Sequence, residues 1–308
     1  MTDTPDILPD AAATNWVDRH APVALRPWLK LGRFDRPVGI WLLFLPGAMG
    51  IVFGAQWVLS WEVAYKLLLF ALGSALMRGA GCAFNDFVDR DLDAQVERTR
   101  MRPIPAGQIT PKQALVFVAA SSLISLLILI QLGWTAIGLG IASLGLVAAY
   151  PFMKRITWWP QAWLGLTFNW GFLMGYASLT GHLSLGALIF YAGLVFWTIG
   201  YDTIYAYQDI EDDAMIGVKS SARALGTNAK GGVSFFYALA IALTGVGGIV
   251  GGLYWPFYGG LFITGWHLFH QVRALRIDDN GLLLRLFKSN RDTGLLWVAA
   301  IVLGHLRP

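Results

Sequence analysis

One cysteine stands among 308 residues, and charged side chains make up only 14% of them. Cys82 therefore has no partner for an intrachain disulfide, and no cysteine-based metal site exists. It lies in an apolar run and reads as a small packing residue. The shortage of charge excludes an ordinary soluble domain, in which about a quarter of residues are charged. The histidines His20, His182, His267, His270 and His305 form no ligand set. His267 and His270 share a helix face, but a hydrogen-bonded or interfacial role suits them better than a metal. No low-complexity stretch or soluble module interrupts the chain. The net charge of +4 raises the case of nucleic-acid binding, which the distribution of the cations excludes below.

What the chain has is apolar surface: 56% of residues are hydrophobic, with 14 Trp and 35 Gly. Trp favours the headgroup level and Gly is frequent in spanning helices, so the class is a polytopic membrane protein. Hydrophobic runs long enough to cross a bilayer, roughly 17 to 25 residues each, lie near 38–56, 63–85, 113–131, 134–151, 161–180, 185–207, 232–252, 255–272 and 291–306. The expected fold is all-α, nine transmembrane helices in a bundle.

Alternate loops carry the cations. Arg26, Lys30, Arg33 and Arg36 precede the first run; Arg90, Arg98, Arg100, Arg102 and Lys112 follow the second; Lys154 and Arg155 end the fourth; Lys219, Arg223 and Lys230 follow the sixth. Roughly 20 of the 23 Lys and Arg fall on one side, which the positive-inside rule makes cytoplasmic, with the N-terminus inside. The first residues, "MTDTPDILPDAAATNW", are acidic and read as neither a secretory signal nor an Arg-rich transit peptide. Residues 1–37 are expected to form a cytoplasmic segment with an interfacial helix, and 38–308 a single membrane domain.

"FNDFVDRDLD", Phe84 to Asp93, packs four aspartates at the end of the second run. At about 100° per residue, Asn85, Asp86, Asp89 and Asp93 share one helix face and Asp91 points away. Carboxylates gathered on one face repel unless a cation lies among them, and hard oxygen donors suit Mg²⁺. "QDIEDD" repeats the pattern about 123 residues later, aligning Gln208, Asp209 and Asp212 with Asn85, Asp86 and Asp89. On the same wheel Asp202, Tyr205, Asp209, Asp212 and Asp213 share a face and Glu211 does not. Two matched acidic faces are what a metal clamp needs. The seven candidate ligands are Asn85, Asp86, Asp89, Asp93, Asp209, Asp212 and Asp213.

Mg²⁺ on a few carboxylates completes its shell with water and substrate phosphates, and Arg and Lys nearby would stabilise a departing diphosphate. A diphosphate site at a membrane surface implies an amphiphile with an apolar tail, and polyprenyl diphosphate is the natural candidate. Ionising its allylic C–O bond gives a carbocation that aromatic faces attract; Tyr150, Phe152, Trp170 and Tyr205 are available.

"NDFVDRDLD", "YPFMKR" and "DTIYAYQDIEDD" resemble the signatures of the UbiA-type intramembrane aromatic prenyltransferases. "RPVGIWLLFLPG", "GAGCAFNDFVDRDLDAQVERTRMRPIPAG" and "YPFMKRITWWPQAWLGLTFNWGFLMG" are similar to those members that act on 4-hydroxybenzoate in ubiquinone biosynthesis. The resemblance implies nine helices around a central cavity and Mg²⁺-dependent transfer of a polyprenyl chain to the ring carbon ortho to the phenol. The family's NDxxDxxxD falls on Asn85, Asp86, Asp89 and Asp93, its YxxxK on Tyr150 and Lys154, and its DxxxD on Asp209 and Asp213. Lys154 and Arg98 would then neutralise the leaving group, Arg155 and Arg36 would grip the acceptor carboxylate, and Asp209 or Asp202 would take the phenol or ring proton. Tyr150 and Tyr205 join the substrate-binding set. The expected location is a bacterial inner membrane, with the site facing the cytoplasm and lipid, not nucleic acid, around the protein. The rival readings are a related enzyme with another acceptor (a haem, homogentisate, dihydroxynaphthoate or chlorophyll precursor) and a transporter.

Overall fold

The computed structural model describes residues 15–55, 60–95, 99–215 and 217–306, apart from the side chain of Asp212. All regular structure among them is helical. Two short helices, α1 (Trp16–His20) and α2 (Arg26–Leu31), lead into α3 (Val38–Gly54) and the long α4 (Trp61–Asp93). Then come α5 (Pro111–Leu129), α6 (Trp134–Ile156), α7 (Pro160–Thr180) and α8 (Leu185–Ala206). After α8 a 3₁₀ turn (Tyr207–Asp209) and the short α9 (Ile210–Met215) and α10 (Ser221–Leu225) precede α11 (Ala229–Val250), α12 (Pro256–Ala274) and α13 (Asn280–Gly304).

A helix lies over most of the described residues of each of the nine hydrophobic runs. By length and composition α4, α5, α6, α8 (with its 3₁₀ extension) and α11 are long and apolar enough to cross a membrane, and α3 is a shorter apolar helix. Elsewhere the boundaries move. The apolar part of the second run ends at residue 85, and α4 continues through the acidic motif to Asp93, as the shared helix face requires, because no Gly or Pro interrupts "NDFVDRDLD". Residues 15–37, the described part of the N-terminal segment, hold not one continuous helix but α1, a 3₁₀ turn at Val23–Leu25, and α2. Pro22 divides them: it holds Ala21 extended, at ψ 142°, as a residue before proline must be. Pro27 lies in the first turn of α2, where its missing N–H breaks no helical bond.

The chain divides into two compact units, residues 1–41 with 71–131, and residues 42–70 with 132–308. In the first, buried Leu31, Ala83, Ile104, Ile109 and Ala114 form a core against which Trp28, Phe87 and Phe117 pack. The loop after α4 is thereby fastened through its isoleucines. Helix α5 begins with a capping box: Thr110 Oγ1 accepts from the Gln113 N–H at 3.3 Å, and Gln113 Oε1 from the Thr110 N–H at 2.9 Å.

In the second unit, Phe172 and Phe190 stack at 5.0 Å, with Phe53 set 5.2 Å from Phe190. A buried polar network joins the helices deeper in. Trp197 Nε1 on α8 donates to Asn290 Oδ1 on α13 at 2.8 Å, and Tyr237 Oη on α11 to Gln271 Oε1 on α12 at 2.9 Å. Gln271 Nε2 reaches Thr293 Oγ1 at 3.2 Å. Small residues set the helix spacing: a Cβ on Gly193 of α8 would lie 2.7 Å from Thr244 Cγ2 on α11, so the backbones meet at close range.

Candidate active site

The last turns of α4 carry the first acidic cluster. Asp86, Asp89 and Asp93 are buried, Asn85 is half-buried and Asp91 is exposed, the division a single α-helical face requires. Burying three carboxylates is costly unless each is paired or hydrogen-bonded. Arg33, just past α2, donates from Nη2 to both Asp86 oxygens at 2.7 and 2.8 Å. Arg102 Nη1 bridges Asp86 Oδ1 at 3.2 Å and Asp93 Oδ2 at 2.7 Å. Thr99 Oγ1 donates to the Asp93 carbonyl at 2.9 Å. Burial, the largest single influence, would ease the proton off Arg33, but Asp86, Cys82 and Asp35 together outweigh it and the net shift is upward.

Arg36 contacts its neighbour Asp35 at 3.3 Å. Arg98 lies outside the described residues.

The second cluster is built differently. The sequence wheel ran one α-helix through both motifs, whereas here α8 ends at Ala206 and a 3₁₀ turn carries Asp209. That turn advances about 120° per residue, so the angles predicted beyond Ala206 are displaced. The Tyr207 hydroxyl anchors the turn, donating to the Gly226 carbonyl at 2.7 Å. Glu211 is exposed, while Asp202, Tyr205, Asp209 and Asp213 are half-buried. Burial, then the neighbouring Asp209, push the Asp213 carboxyl up to about 6, against the pull of Ser220, Lys154 and Arg223. Helix α6 brings Tyr150 and Lys154, both half-buried, and leaves Arg155 and Phe152 exposed at its end. Tyr205 packs on Phe287 with ring centroids 4.6 Å apart. Trp170 ties α7 to α6 by donating to the Leu139 carbonyl at 2.8 Å.

Among the described residues, no group of three or more His, Cys, Asp or Glu converges on a point that could hold a metal. Mg²⁺ does not require such a cage, since one or two carboxylates with phosphate oxygens and water suffice. Asp89 and Asp93 on α4, and Asp209 and Asp213 after α8, fit that pattern as pairs of hard oxygen donors. Asp86 fits it poorly, because both its oxygens face Arg33.

Two cations escaped the sequence reading. The sequence places Arg33 only among the topology-setting charges; no spacing rule pairs it with Asp86, 53 positions away. Arg78 lies inside α4, half-buried beside Gly39, where an added Cβ would come within 2.6 Å of its Nε. An arginine within an apolar run marks function by default, and that signal was available.

Residues 43–299 match the UbiA prenyltransferase family. A Drosophila melanogaster protein named 4-hydroxybenzoate polyprenyltransferase, mitochondrial, is 43% identical over 302 residues, covering 96% of this chain and 77% of its own. The Homo sapiens protein of the same name is 43% identical over 290 residues, covering 93% and 77%. Among solved structures, the apo form of a UbiA homolog from Aeropyrum pernix K1 superposes with a TM-score of 0.72 at 25% identity, over 86% of this chain and 98% of that one. A UbiA homolog from Archaeoglobus fulgidus bound to GPP and Mg²⁺ shares the fold, with a TM-score of 0.65 at 18% identity, over 89% and 98%. These names correct one expectation: the relatives are mitochondrial enzymes of animals, pointing to a mitochondrial membrane and not to a bacterial inner membrane. The family match across most of the length, the near-complete alignment with these relatives and an acidic motif folded onto one face of α4 agree, and the chain belongs to the UbiA prenyltransferase family.

Proposed function

We propose that this chain transfers a polyprenyl group from polyprenyl diphosphate to the 3-position of 4-hydroxybenzoate, releasing diphosphate, in ubiquinone biosynthesis. The observation that carries the reading is 43% identity to 4-hydroxybenzoate polyprenyltransferases over 93–96% of the chain. In the reaction the allylic C–O bond breaks with its electron pair leaving on the diphosphate. A C–C bond forms at the ring carbon ortho to the phenol, and that carbon gives up its proton to a base.

The residue roles are assigned as follows. Asn85, Asp89 and Asp93, together with Asp209 and Asp213, hold Mg²⁺ and through it the diphosphate; the bound metal supplies positive charge against the leaving oxygens. The internal repeat of the two motifs supports this, as does the Archaeoglobus homolog's Mg²⁺ and GPP. Lys154, whose charge acts on Asp213, and Arg98 stabilise the departing diphosphate. Tyr150 and Tyr205 offer ring faces to the carbocation. Arg78 joins Arg36 and Arg155 as a contact for the acceptor carboxylate, favoured by its place inside α4. Asp202 or Asp209 receives the proton. Nine spans, with the N-terminus on the Lys- and Arg-rich side, complete the proposal.

The test is an acceptor panel. Membranes containing the protein, supplied with Mg²⁺ and geranyl diphosphate, should prenylate 4-hydroxybenzoate in preference to homogentisate, dihydroxynaphthoate, a haem or a chlorophyll precursor. If 4-hydroxybenzoate is the acceptor left unmodified, the assignment is wrong.

A further inference from the structure

Helix α2 ends in a Schellman motif. The Phe34 N–H donates to the Leu29 carbonyl at 2.9 Å, and the Arg33 N–H to the Lys30 carbonyl at 3.1 Å. The residue in the left-handed position is Arg33, at φ 59°, the only non-glycine with positive φ among the described residues. Glycine is the usual occupant there, and Gly32 stands immediately before it with an ordinary φ of −77°. A chain needing only to stop a helix would place glycine at position 33.

Gly32 serves another purpose. A Cβ on it would lie 2.5 Å from the Phe34 ring, and a Cβ on Gly79 of α4 would lie 3.6 Å from Gly32 Cα. The end of α2 therefore lies against α4 at Gly79. Asp86 is seven residues further on, two turns along the same face, and there the Arg33 side chain reaches it.

We infer that Asp86 is a positioning residue and not a metal ligand: Arg33, held in a left-handed turn, clamps Asp86 and so fixes the face of α4, and Arg102 carries that constraint to Asp93. Both Asp86 oxygens lie within 2.8 Å of Arg33 Nη2, and Arg102 shares Nη1 between Asp86 and Asp93. A carboxylate so engaged and 1% exposed offers no free edge to an incoming ion, whereas one held by a fixed arginine can orient its neighbours. Partners that hold a ligand in place act on metal affinity as strongly as some ligands do. The inference rests on the assignment of this cluster to Mg²⁺ and diphosphate.

A double-mutant cycle tests it on the full-length protein in detergent. Mg²⁺ is titrated in the presence of inorganic diphosphate and its half-saturation read from the unfolding temperature, alongside kcat. Arg33→Gln and Asp86→Asn should each raise the half-saturation by about 10-fold, and the double variant should raise it no further than either single. A rise with Asp86→Asn that Arg33→Gln does not share makes Asp86 a ligand and overturns the inference. Strict additivity, or half-saturation unmoved in folded single variants, overturns it as well. Should both singles fail to fold, Arg33→Lys keeps the charge without the fork and should still raise the half-saturation; an unchanged value refutes the clamp. Asp89→Asn separates the two readings. If it leaves the half-saturation unmoved, the metal assignment fails, while coupling of Arg33 and Asp86 in the metal-free unfolding temperature still reports the clamp.

Discussion

The backbone N–H of Lys219 donates to the carbonyl oxygen of Lys154 at 3.0 Å, and the Lys219 ammonium reaches the Ile156 carbonyl at 3.2 Å. The segment after the second acidic cluster is thus stitched to the end of α6, and Lys154 and Asp213 are held in one neighbourhood. Because the tie to residue 154 uses its backbone, the Lys154 side chain is open to substitution without cutting it. Lys154→Met should lower kcat by about 100-fold, the order expected for losing one preorganised charge on a leaving group, while the backbone tie to Lys219 keeps the protein folded. A steady-state assay with geranyl diphosphate, beside a melt in detergent, checks both halves.

Asp89→Asn and Asp209→Asn should each abolish measurable prenylation while the protein still inserts and purifies. Asn keeps the shape but removes the charge a divalent cation requires. Full turnover in either variant, measured by chromatography of the prenylated acid, would sink the metal clamp.

Removing the metal should be reversible. Activity should vanish in EDTA and return on adding Mg²⁺, and Mg²⁺ with inorganic diphosphate should raise the unfolding temperature, since a ligand that binds only the folded state stabilises it by mass action. Calorimetry of the purified protein with and without EDTA reads this directly.

Asn290→Leu should cost stability. It leaves the Trp197 indole N–H without its acceptor at 2.8 Å and deprives Gln271 Oε1 of a donor at 3.3 Å. A buried donor left unmatched costs about 1–3 kcal/mol, so the unfolding temperature should fall clearly, and a fall no larger than that of an exposed control such as Leu123→Ala would count against the network.

Gly193→Ala should also destabilise the protein, by about 1–3 kcal/mol, because the added Cβ meets Thr244 N at 2.8 Å and Thr244 Cγ2 at 2.7 Å. Pairing it with Thr244→Ser, which removes Cγ2 but not the backbone, should restore only part of the loss. Complete restoration would mean that the methyl group, not the helix spacing, is what Gly193 accommodates.

The acidic motif shows how far a sequence can be read. Asp86, Asp89 and Asp93 were separated from Asp91 by angle alone, and their burial follows that division because α4 is one uninterrupted helix. After α8 the same wheel still leaves Glu211 exposed, but its angles are displaced by a 3₁₀ turn at Tyr207–Asp209 that leaves no mark in residue spacing; the Tyr207 hydroxyl anchors that turn by donating to the Gly226 carbonyl, 19 residues away. The N-terminal segment reads from its sequence as carrying an interfacial helix, and its division into three short turns over residues 16–31 is not legible there. The location, read as bacterial, was corrected by the relatives' names.

The sequence by itself determined the helices, the membrane class and the two acidic motifs, because hydrophobic runs and helical periodicity are local properties of consecutive residues. Only the tertiary structure decided which acids are paired. Arg33 meets Asp86 across 53 residues, because Gly32 and Gly79 let α2 and α4 approach and a left-handed turn aims the guanidinium. Such a contact depends on the close approach of distant backbones, which no local pattern encodes.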